Sequence, residues 1–304
     1  ILRWPSIPSF LSPSAFRLSP MHLTGLFIYP VKSLGGFSVQ VAEVDDLGLA
    51  GDRRFMLVDE AGKFLTQRAL PRMALIRTAL SADTLTLISA GAGSCAVPRH
   101  AALDSHPASI RTVSVWKSEG LLAEDCGDAP AAWLSDALAT KCRLVRIGAK
   151  FVRPVTKPAA RPGDRVTFAD AAPLLIISEA SLADLNDRIV AQGEDAVPMN
   201  RFRPNLVVAG CAAFAEDTWA RFRIGNVEFR AGGPCARCAV PTIDQETAER
   251  GKEPIRTLAT YRRAAADPTD VNFGQNLINE TKSGALHVGA RVELLVGPNE
   301  SRFS

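Results

Sequence analysis

Short segments in which apolar and polar residues alternate are the sequence feature that most restricts the fold. Alternation with period two is typical of strands with one buried face, and it occurs at residues 37–41, 84–88 and 110–115. A hairpin is predicted between residues 54–58 and 63–66. Frequent short strands separated by turns predict a β-barrel or a β-sandwich, and the pattern alone does not separate the two.

Helical patterns appear between later strands. A helix is predicted from residue 127 onward, with Asp128 as its N-cap and Pro130 in its first turn. An amphipathic helix is predicted over residues 182–192 with Ser181 as its N-cap. A closing strand is predicted at residues 288–296. The fold class is therefore α/β, β-rich and mixed.

Length predicts two structural units, because 304 residues exceed the roughly 100 to 200 residues of one domain. Residues 153–164 contain three prolines and one glycine, which makes them the best linker candidate. We assign residues 21–147 to a β-rich N-terminal domain and residues 148–297 to a second domain. Residues 1–20 are assigned to an extension, expected to be disordered, and 298–304 to a tail.

Composition narrows the function classes. Hydrophobic residues make up 47% and charged residues 22% of the chain, as in ordinary globular proteins. The net charge of +3 is spread along the sequence, so no nucleic-acid partner is expected. No apolar window reaches the length of about eighteen residues that a transmembrane helix needs. The six cysteines are scattered, which favours reduced thiols and a cytoplasmic location.

One stretch, residues 232–242, carries the chemistry. Two glycines and a proline precede Cys235 and Cys238, and Arg237 lies between the two thiols. A zinc site and a thioredoxin-like redox pair are possible readings, but no second cysteine or histidine pair accompanies the motif. A purely structural role is weakened by Arg237, since arginine is rarely buried without an anion. The remaining reading is a thiolate that ligates a soft metal beside an arginine that holds an anionic cofactor.

Ordered motifs throughout the chain resemble the MOSC domain, which is the C-terminal domain of molybdenum cofactor sulfurases. Within that superfamily the sequence is most similar to the mitochondrial amidoxime-reducing component and its bacterial relatives. The motifs are Pro234-Cys235-Ala236-Arg237-Cys238, Thr242-Ile243-Asp244, residues 253–258, 261–262 and 273–275, and earlier residues 29–33, 51–55, 66–68, 178–182 and 202–205. The resemblance implies a β-barrel-like MOSC core beside a β-rich N-terminal domain.

The resemblance also implies a molybdenum-molybdopterin cofactor between the two units. Cys238 falls on the position of the cysteine that ligates molybdenum, whereas Cys235 does not. Asp170 falls where relatives carry an acid near the metal, and a proton donor there would suit a reductive step. The residues on cofactor-binding positions are Lys32, Ser33, Arg53, Arg203, Asn205, Arg237 and Asn276.

Several of these residues also have plain structural explanations. Outside their motifs, Lys32 and Arg53 would be read as surface charges, and Asn205 as a turn residue. Arg203 could instead cap the helix at residues 182–192, and Asp170 could be a turn or cap aspartate. The sequence departs from its relatives at residues 171–172, where two alanines replace hydroxyl side chains. Cofactor contacts there would have to come from the backbone.

The implied activity is that of a molybdenum cofactor-dependent oxidoreductase. It would reduce N-hydroxylated substrates such as amidoximes and hydroxylamines, with the oxygen leaving as water. No ferredoxin-like cysteine cluster follows Val296, so electrons are expected from a separate electron-transfer protein, and the protein is expected to be a monomer. The alternative is a non-catalytic module that binds or carries the cofactor or its sulfur.

Overall fold

The computed structural model describes residues 20–100 and 109–296. The predicted extension, apart from its last residue, and the predicted tail lie outside the described residues. Within these residues the chain forms three α-helices, α1 (Asp128–Leu138), α2 (Glu179–Val190) and α3 (Ile255–Leu258). Short 3₁₀ helices occur at Pro71–Leu75, Met199–Arg201, Ala215–Thr218 and Val240–Thr242.

Strands make up the rest of the regular structure, and their number confirms the predicted β-rich class. Up to residue 146 they are β1 (His22–Ile28), β2 (Phe37–Val39), β3 (Val41–Asp45), β4 (Gly48–Leu49), β5 (Phe55–Val58), β6 (Arg77–Leu80), β7 (Thr84–Ser89), β8 (Gly93–Pro98), β9 (Ile110–Val115), β10 (Ser118–Asp125) and β11 (Arg143–Arg146). After residue 146 they are β12 (Leu174–Ser178), β13 (Leu206–Ala209), β14 (Arg221–Ile224), β15 (Val227–Ala236), β16 (Asn272–Asn279), β17 (Gly284–His287) and β18 (Val292–Val296).

The largest sheet curves into a partly closed barrel. Its eight strands run in the order β18-β14-β15-β16-β12-β13-β1-β2, and only the pair β12–β13 is parallel. The amide of Leu23 donates to Ala290 O (2.9 Å), Gly289 N donates to Leu23 O (2.7 Å) and Val292 N donates to Met21 O (2.8 Å). These bonds join β1 to the segment that enters β18, so the sheet is barrel-like rather than one layer of a sandwich.

The barrel interior is filled by the largest apolar cluster. It draws on nearly every strand of the sheet and includes the aromatic residues Trp219, Phe222 and Phe229. The rings of Phe222 and Phe229 stack with centroids 5.6 Å apart. Burial of this apolar surface is the main force that holds the strand ends in fixed positions.

Strands from the two halves of the chain share sheets. β1 and β2 lie in the sheet that otherwise consists of strands after residue 173, and β17 pairs with β3 in a three-stranded sheet with β4. The strands β5-β11-β10-β9 and β6-β7-β8 form two further sheets. The two predicted units are thus joined by backbone pairing as well as by side-chain contacts.

Two predicted helix caps are wrong. Helix α2 begins at Glu179, and its N-cap is Ser178, whose hydroxyl accepts from Ser181 N (3.0 Å). The hydroxyl of Ser181 is instead occupied by buried Glu216, to whose Oε1 it donates (2.7 Å). Helix α1 is preceded by Gly127 at φ 96°, so Asp128 is its first residue rather than its cap.

Two other predicted segments differ in extent or character. The predicted closing strand is shorter, because β18 begins at Val292. The proline-rich stretch 153–164 does not run as a free linker. Arg153 is buried and donates to Thr167 O (2.8 Å) and Asp170 O (3.0 Å), while Asp164 pairs with Arg230. These buried charged contacts fix the stretch against the barrel.

Candidate functional site

One cavity of about 380 Å³ lies where segments from both halves of the chain meet. β1 ends beside the starts of β12 and β13, and Asn276 of β16 pairs with Leu175 of β12 and Gly233 of β15. Every residue predicted for the site lines this cavity: Lys32, Ser33, Arg53, Asp170, Arg203, Asn205, Arg237, Cys238 and Asn276. The fold therefore collects them into one place, and what each does there stays a prediction.

Lys32 and Ser33 lie in the turn that follows β1. Lys32 N donates to Phe55 O (2.8 Å), which fixes the turn to β5. Ser33 has a φ of 66°, a left-handed conformation that is uncommon for residues with a side chain and is concentrated at functional sites. The Lys32 side chain is buried, and its Nζ donates to Phe168 O (2.8 Å). The turn therefore holds an ammonium group at the cavity wall.

Arg53 connects the N-terminal segment to the start of β13. Its Nη1 donates to Asp52 Oδ2 (2.6 Å) and to Asn205 Oδ1 (2.8 Å), and its Nη2 donates to Arg203 O (3.0 Å). Asn205 in turn donates from Nδ2 to Phe27 O (3.1 Å). Arg53 and Asn205 thus use much of their hydrogen-bonding capacity within the protein, where they set the spacing of β1 and β13.

Of the three arginines that line the cavity, Arg203 has the fewest hydrogen bonds within the described residues. It has a φ of 55°, is only 8% exposed, and its guanidinium lies 4.3 Å from the ring of Tyr29, on which Arg53 also lies at 4.4 Å. The Arg203 guanidinium donates no hydrogen bond to a side chain or carbonyl of the described residues. Burial lowers the pKa of Arg203 to about 10. A buried cation without an acceptor favours an anion in the cavity.

The stretch around Cys238 follows directly from β15. Arg237 Nη1 donates to Cys235 Sγ (3.1 Å) and Nη2 donates to Phe202 O (2.7 Å), while its Nε is buried without a partner among the described atoms. Cys238 is a free, half-buried thiol that lines the cavity. Nowhere in residues 20–100 and 109–296 do three or more His, Cys, Asp or Glu side chains gather as metal ligands. Two cysteine thiols, Cys235 and Cys238, therefore line the cavity, and no group of three such protein ligands forms a metal cage around them within these residues.

Asp170 forms an ion pair with Lys32 at the cavity. Partial enclosure by the protein would by itself raise the pKa of Asp170, but the ammonium of Lys32 and the indole N–H of Trp116, 3.0 Å from Oδ1, lower it well below the usual range. Burial lowers the pKa of Lys32, an effect that Asp170 opposes. In the ionised state that these donors favour, Asp170 accepts hydrogen bonds, and its expected role as a proton donor stays a prediction.

Asn276 and the two alanines complete the cavity wall. Asn276 donates from Nδ2 to Gly233 O (3.1 Å) and to Pro234 O (3.0 Å), so its amide fixes the end of β15 just before the cysteines. Ala171 and Ala172 also line the cavity. Their methyl groups offer no hydrogen bonds, so this part of the wall can bind a polar ligand only through its backbone.

Other cavity-lining residues were not predicted, among them Trp116 and Lys157. Lys157 lies in residues 153–164, which were interpreted as a linker and therefore not considered for the site. Trp116 lies in the two-residue loop between β9 and β10. A tryptophan in so short a loop between alternating strands is a signal that the sequence does contain, because loops of this kind favour glycine, asparagine and aspartate.

Comparisons with known proteins agree with this architecture. The MOSC N-terminal beta barrel domain matches residues 21–141, and the MOSC domain matches residues 163–293. None of the helices within the described part of the chain is long and apolar enough to span a membrane.

Curated relatives match over most of the chain. Mitochondrial amidoxime-reducing component 1 from Homo sapiens is 37% identical over 290 residues, which cover 89% of this chain and 82% of that protein. Molybdenum cofactor sulfurase from Danio rerio is 32% identical over 301 residues, which cover 92% of this chain and 35% of that protein. Among solved structures, the YUAD protein from Bacillus subtilis aligns over 90% of this chain and 95% of that chain, at 12% identity and a TM-score of 0.38.

Identity of this size over most of both proteins, together with both domain matches, means that the chain belongs to the MOSC domain family and is a relative of the mitochondrial amidoxime-reducing components.

Proposed function

We propose that the protein binds a molybdenum-molybdopterin cofactor in the cavity and reduces N-hydroxylated compounds, such as amidoximes and hydroxylamines. The observation that carries this proposal is the donor set of one cavity. Five basic side chains line it, those of Lys32, Arg53, Lys157, Arg203 and Arg237, together with the free thiols of Cys235 and Cys238. One of the basic groups, Arg203, is largely buried and donates no hydrogen bond to the described residues. The names of the relatives, amidoxime-reducing component and molybdenum cofactor sulfurase, support the same chemistry.

The residues fit an anionic cofactor that brings its own metal. The Nε of Arg237 is buried without a partner among the described atoms. The guanidinium of Arg203 lines the cavity and donates no hydrogen bond to the described residues, so both groups can donate to an anionic ligand. Charge-assisted hydrogen bonds to a phosphate would each contribute roughly 1.5 to 3 kcal/mol. Cys238 offers one thiolate, the ligand type that soft transition metals select. The metal's remaining ligands would come with the pterin and from solvent or substrate.

Each residue then has a proposed role. Lys32, Arg53, Arg203 and Arg237 would bind the phosphate and pterin, with Ser33, Asn205 and Asn276 as neutral polar neighbours, and Cys238 would bind the metal. The bound cofactor supplies two-electron redox chemistry at an oxygen-accepting metal. In the overall reaction the substrate takes up two electrons and two protons, its N–O bond breaks, and the oxygen leaves as water. A separate electron-transfer protein would supply the electrons.

Metal and pterin analysis of the purified protein is the direct test. Protein from a host that makes the cofactor should contain molybdenum and pterin in equal amounts, and it should reduce benzamidoxime with an artificial electron donor. Zinc without molybdenum would contradict the proposed cofactor. The monomeric state and the cytoplasmic location stay predictions, to be checked by light scattering and by fractionation.

The metal ligand can be tested with a matched pair of variants. Cys238→Ser should lose molybdenum, because a hydroxyl is a poor ligand for a soft metal. Cys235→Ser should keep it, since Cys235 is occupied with Arg237. Molybdenum content per protein is the measurement, and equal losses in the two variants would contradict a single cysteine ligand.

A cofactor carrier is the second candidate function. It is favoured by the match to a molybdenum cofactor sulfurase, in which this chain corresponds to 35% of a longer protein. A carrier would contain molybdenum but would not reduce benzamidoxime with an artificial donor. It would also release the cofactor to an apoenzyme, which can be measured by activation of that acceptor.

A further inference from the structure

Trp116 occupies a position that folding alone does not explain. It is the first residue of the two-residue loop between β9 and β10, and its φ of 55° is in the left-handed region. Glycine is preferred where only the first loop residue has a positive φ, and a bulky side chain there is strained. The indole is also 41% exposed. Both features cost stability, so a role for Trp116 is to be sought in the contacts of its side chain.

Neighbouring side chains hold the indole at the mouth of the cavity. The Arg68 guanidinium lies 4.1 Å from the indole centroid, and the Phe64 ring lies 5.2 Å from it at an angle of 51°. The ring of Phe64 also lies 5.5 Å from Lys32 Nζ. Trp116 itself lines the cavity. The indole is therefore held by two contacts: a cation–π contact with Arg68, which does not line the cavity, and an aromatic contact with Phe64, which lies beside Lys32.

Both hydrogen bonds to the Asp170 carboxylate go to the same oxygen, Oδ1. Trp116 Nε1 donates to Oδ1 (3.0 Å), and Lys32 Nζ donates to the same oxygen. No described residue donates to Oδ2, and the Asp170 side chain is 58% exposed. A carboxylate oxygen has two lone pairs. Oδ2 is thus an available acceptor at the cavity, and its direction is set by the two donors on Oδ1.

We propose that Trp116 is a positioning residue that fixes Asp170, so that Asp170 Oδ2 accepts a hydrogen bond from an N–H or O–H group of the substrate. This inference rests on the proposed function and names the part of the substrate that the protein recognises. Amidoximes and hydroxylamines carry both kinds of donor beside the N–O bond. An acceptor held in one direction would orient that bond, since positioning is a large part of catalysis.

Other charged groups also surround the carboxylate of Asp170 and affect its pKa. Lys32 faces its carboxylate from the turn after β1, Arg153 donates to its backbone oxygen (3.0 Å), and Arg53 adds a further positive charge. A substitution at residue 116 replaces none of these charged groups. A variant that keeps the aromatic ring and removes only the N–H isolates the contribution of Trp116.

Trp116→Phe is that variant, and Trp133→Phe is its matched control. Trp133 Nε1 donates to Ala92 O (2.8 Å) and does not line the cavity. With holoprotein, Trp116→Phe should raise the KM for benzamidoxime and its calorimetric Kd for the oxidised protein roughly three- to tenfold, as expected for one lost hydrogen bond. The kcat should change less, and Trp133→Phe should change none of these quantities.

A second readout separates positioning from a general structural effect. The carboxyl resonance of Asp170, recorded on ¹³C-aspartate-labelled holoprotein and assigned by its loss in Asp170→Asn, should titrate at higher pH in Trp116→Phe than in the wild type. The reason is that the indole N–H stabilises the ionised form. The acid limb of kcat/KM should move in the same direction. Trp133→Phe should leave both unchanged.

The outcomes are distinct. An unmoved Asp170 titration in Trp116→Phe would overturn the positioning contact. A moved titration with an unchanged Kd for benzamidoxime would overturn the acceptor role of Oδ2. If wild-type holoprotein binds benzamidoxime but does not reduce it, the proposed reductase activity fails while the Kd comparison still decides the inference. If it neither binds nor reduces benzamidoxime, substrate recognition by Asp170 fails together with the activity, and the titration alone decides the positioning.

Discussion

At the scale of single residues, the basic side chains of the site differ in how fully the described residues neutralise them. Arg53 has Asp52 and Asn205 as acceptors, and Lys32 has Asp170. Arg203 has only the face of Tyr29. A cation–π contact contributes about 0.5 to 2 kcal/mol, which is small against the desolvation of a buried guanidinium. Arg203 is therefore placed for binding at the expense of stability.

This imbalance predicts opposite effects on binding and stability. Arg203→Met should lower cofactor content strongly, yet leave the free energy of unfolding of the cofactor-free protein unchanged or raise it by up to about 2 kcal/mol. The neighbouring variant Arg201→Met is the control, because Arg201 has an ion pair with Asp244 (2.8 Å) and should lose stability instead. Urea unfolding of both cofactor-free variants measures the difference. A loss of stability in Arg203→Met equal to that in Arg201→Met would contradict this account.

At the scale of elements, helix α2 illustrates how tertiary contacts overrule local rules. Ser178 and Ser181 both suit an N-cap, and the sequence favours Ser181. Burial of Glu216 decides the matter, since Ser181 Oγ donates to Glu216 Oε1 and accepts from Phe214 N (both 2.7 Å). A contact across 35 positions cannot be read from a local pattern.

The two serines should differ in their contribution to stability. Ser178→Ala removes a cap and should cost about 1 kcal/mol. Ser181→Ala leaves the buried carboxylate of Glu216 and a backbone N–H with fewer partners, and it should cost about 2 to 3 kcal/mol. Urea denaturation of both variants measures this, with Ser94→Ala at an exposed position of β8 as the control. The order is contradicted if Ser178→Ala is the more damaging change.

Asp125 connects β9, β11 and the start of α1 and makes stability depend on pH. Burial by itself would raise its pKa, but hydrogen bonds from Arg143, Arg111 and Gly127 N outweigh burial and lower the pKa to about 2. A lowered folded-state pKa contributes stability above the unfolded value near 4, and the contribution is lost as pH falls toward 2.

Replacing the carboxylate tests this dependence. Asp125→Asn should lower the free energy of unfolding at pH 7 by about 2 kcal/mol. The difference from wild type should shrink steadily between pH 4 and pH 2, because the wild-type carboxylate becomes protonated there. Unfolding curves at several pH values measure it, and Asp136→Asn, at an exposed position of α1, is the control. A difference that is the same at pH 7 and pH 2.5 would count against the proposed network.

At the scale of the whole molecule, local motifs can be predicted from the sequence, whereas contacts between distant segments of the chain cannot. The strand class follows from alternation, and the site residues follow from motifs such as Pro234-Cys235-Ala236-Arg237-Cys238. The closure of the barrel depends on bonds between Leu23 and residues 289–290, which no local pattern encodes. The same holds for Trp116, whose partner Asp170 lies in the other half of the chain.

The interleaved sheets predict that the two halves do not fold separately. β1 pairs with β13 and with residues that enter β18, and β3 pairs with β17. A fragment of residues 148–296 would therefore lack β1, the partner of β13, and β3, the partner of β17. Its unpaired strand edges and apolar surface would be exposed. We expect the chain of 304 residues to unfold in one transition by circular dichroism and by tryptophan fluorescence.

Expressed alone, residues 148–296 should lack a cooperative transition and should bind the dye ANS, and adding residues 20–147 as a separate chain should restore structure in proportion to complex formation. A fragment 148–296 that unfolds cooperatively on its own would mean that the predicted boundary at residue 147 separates two independent folding units. The cavity would then form only after two folded bodies dock, whereas the pairing of β1 with β13 makes its formation part of folding itself.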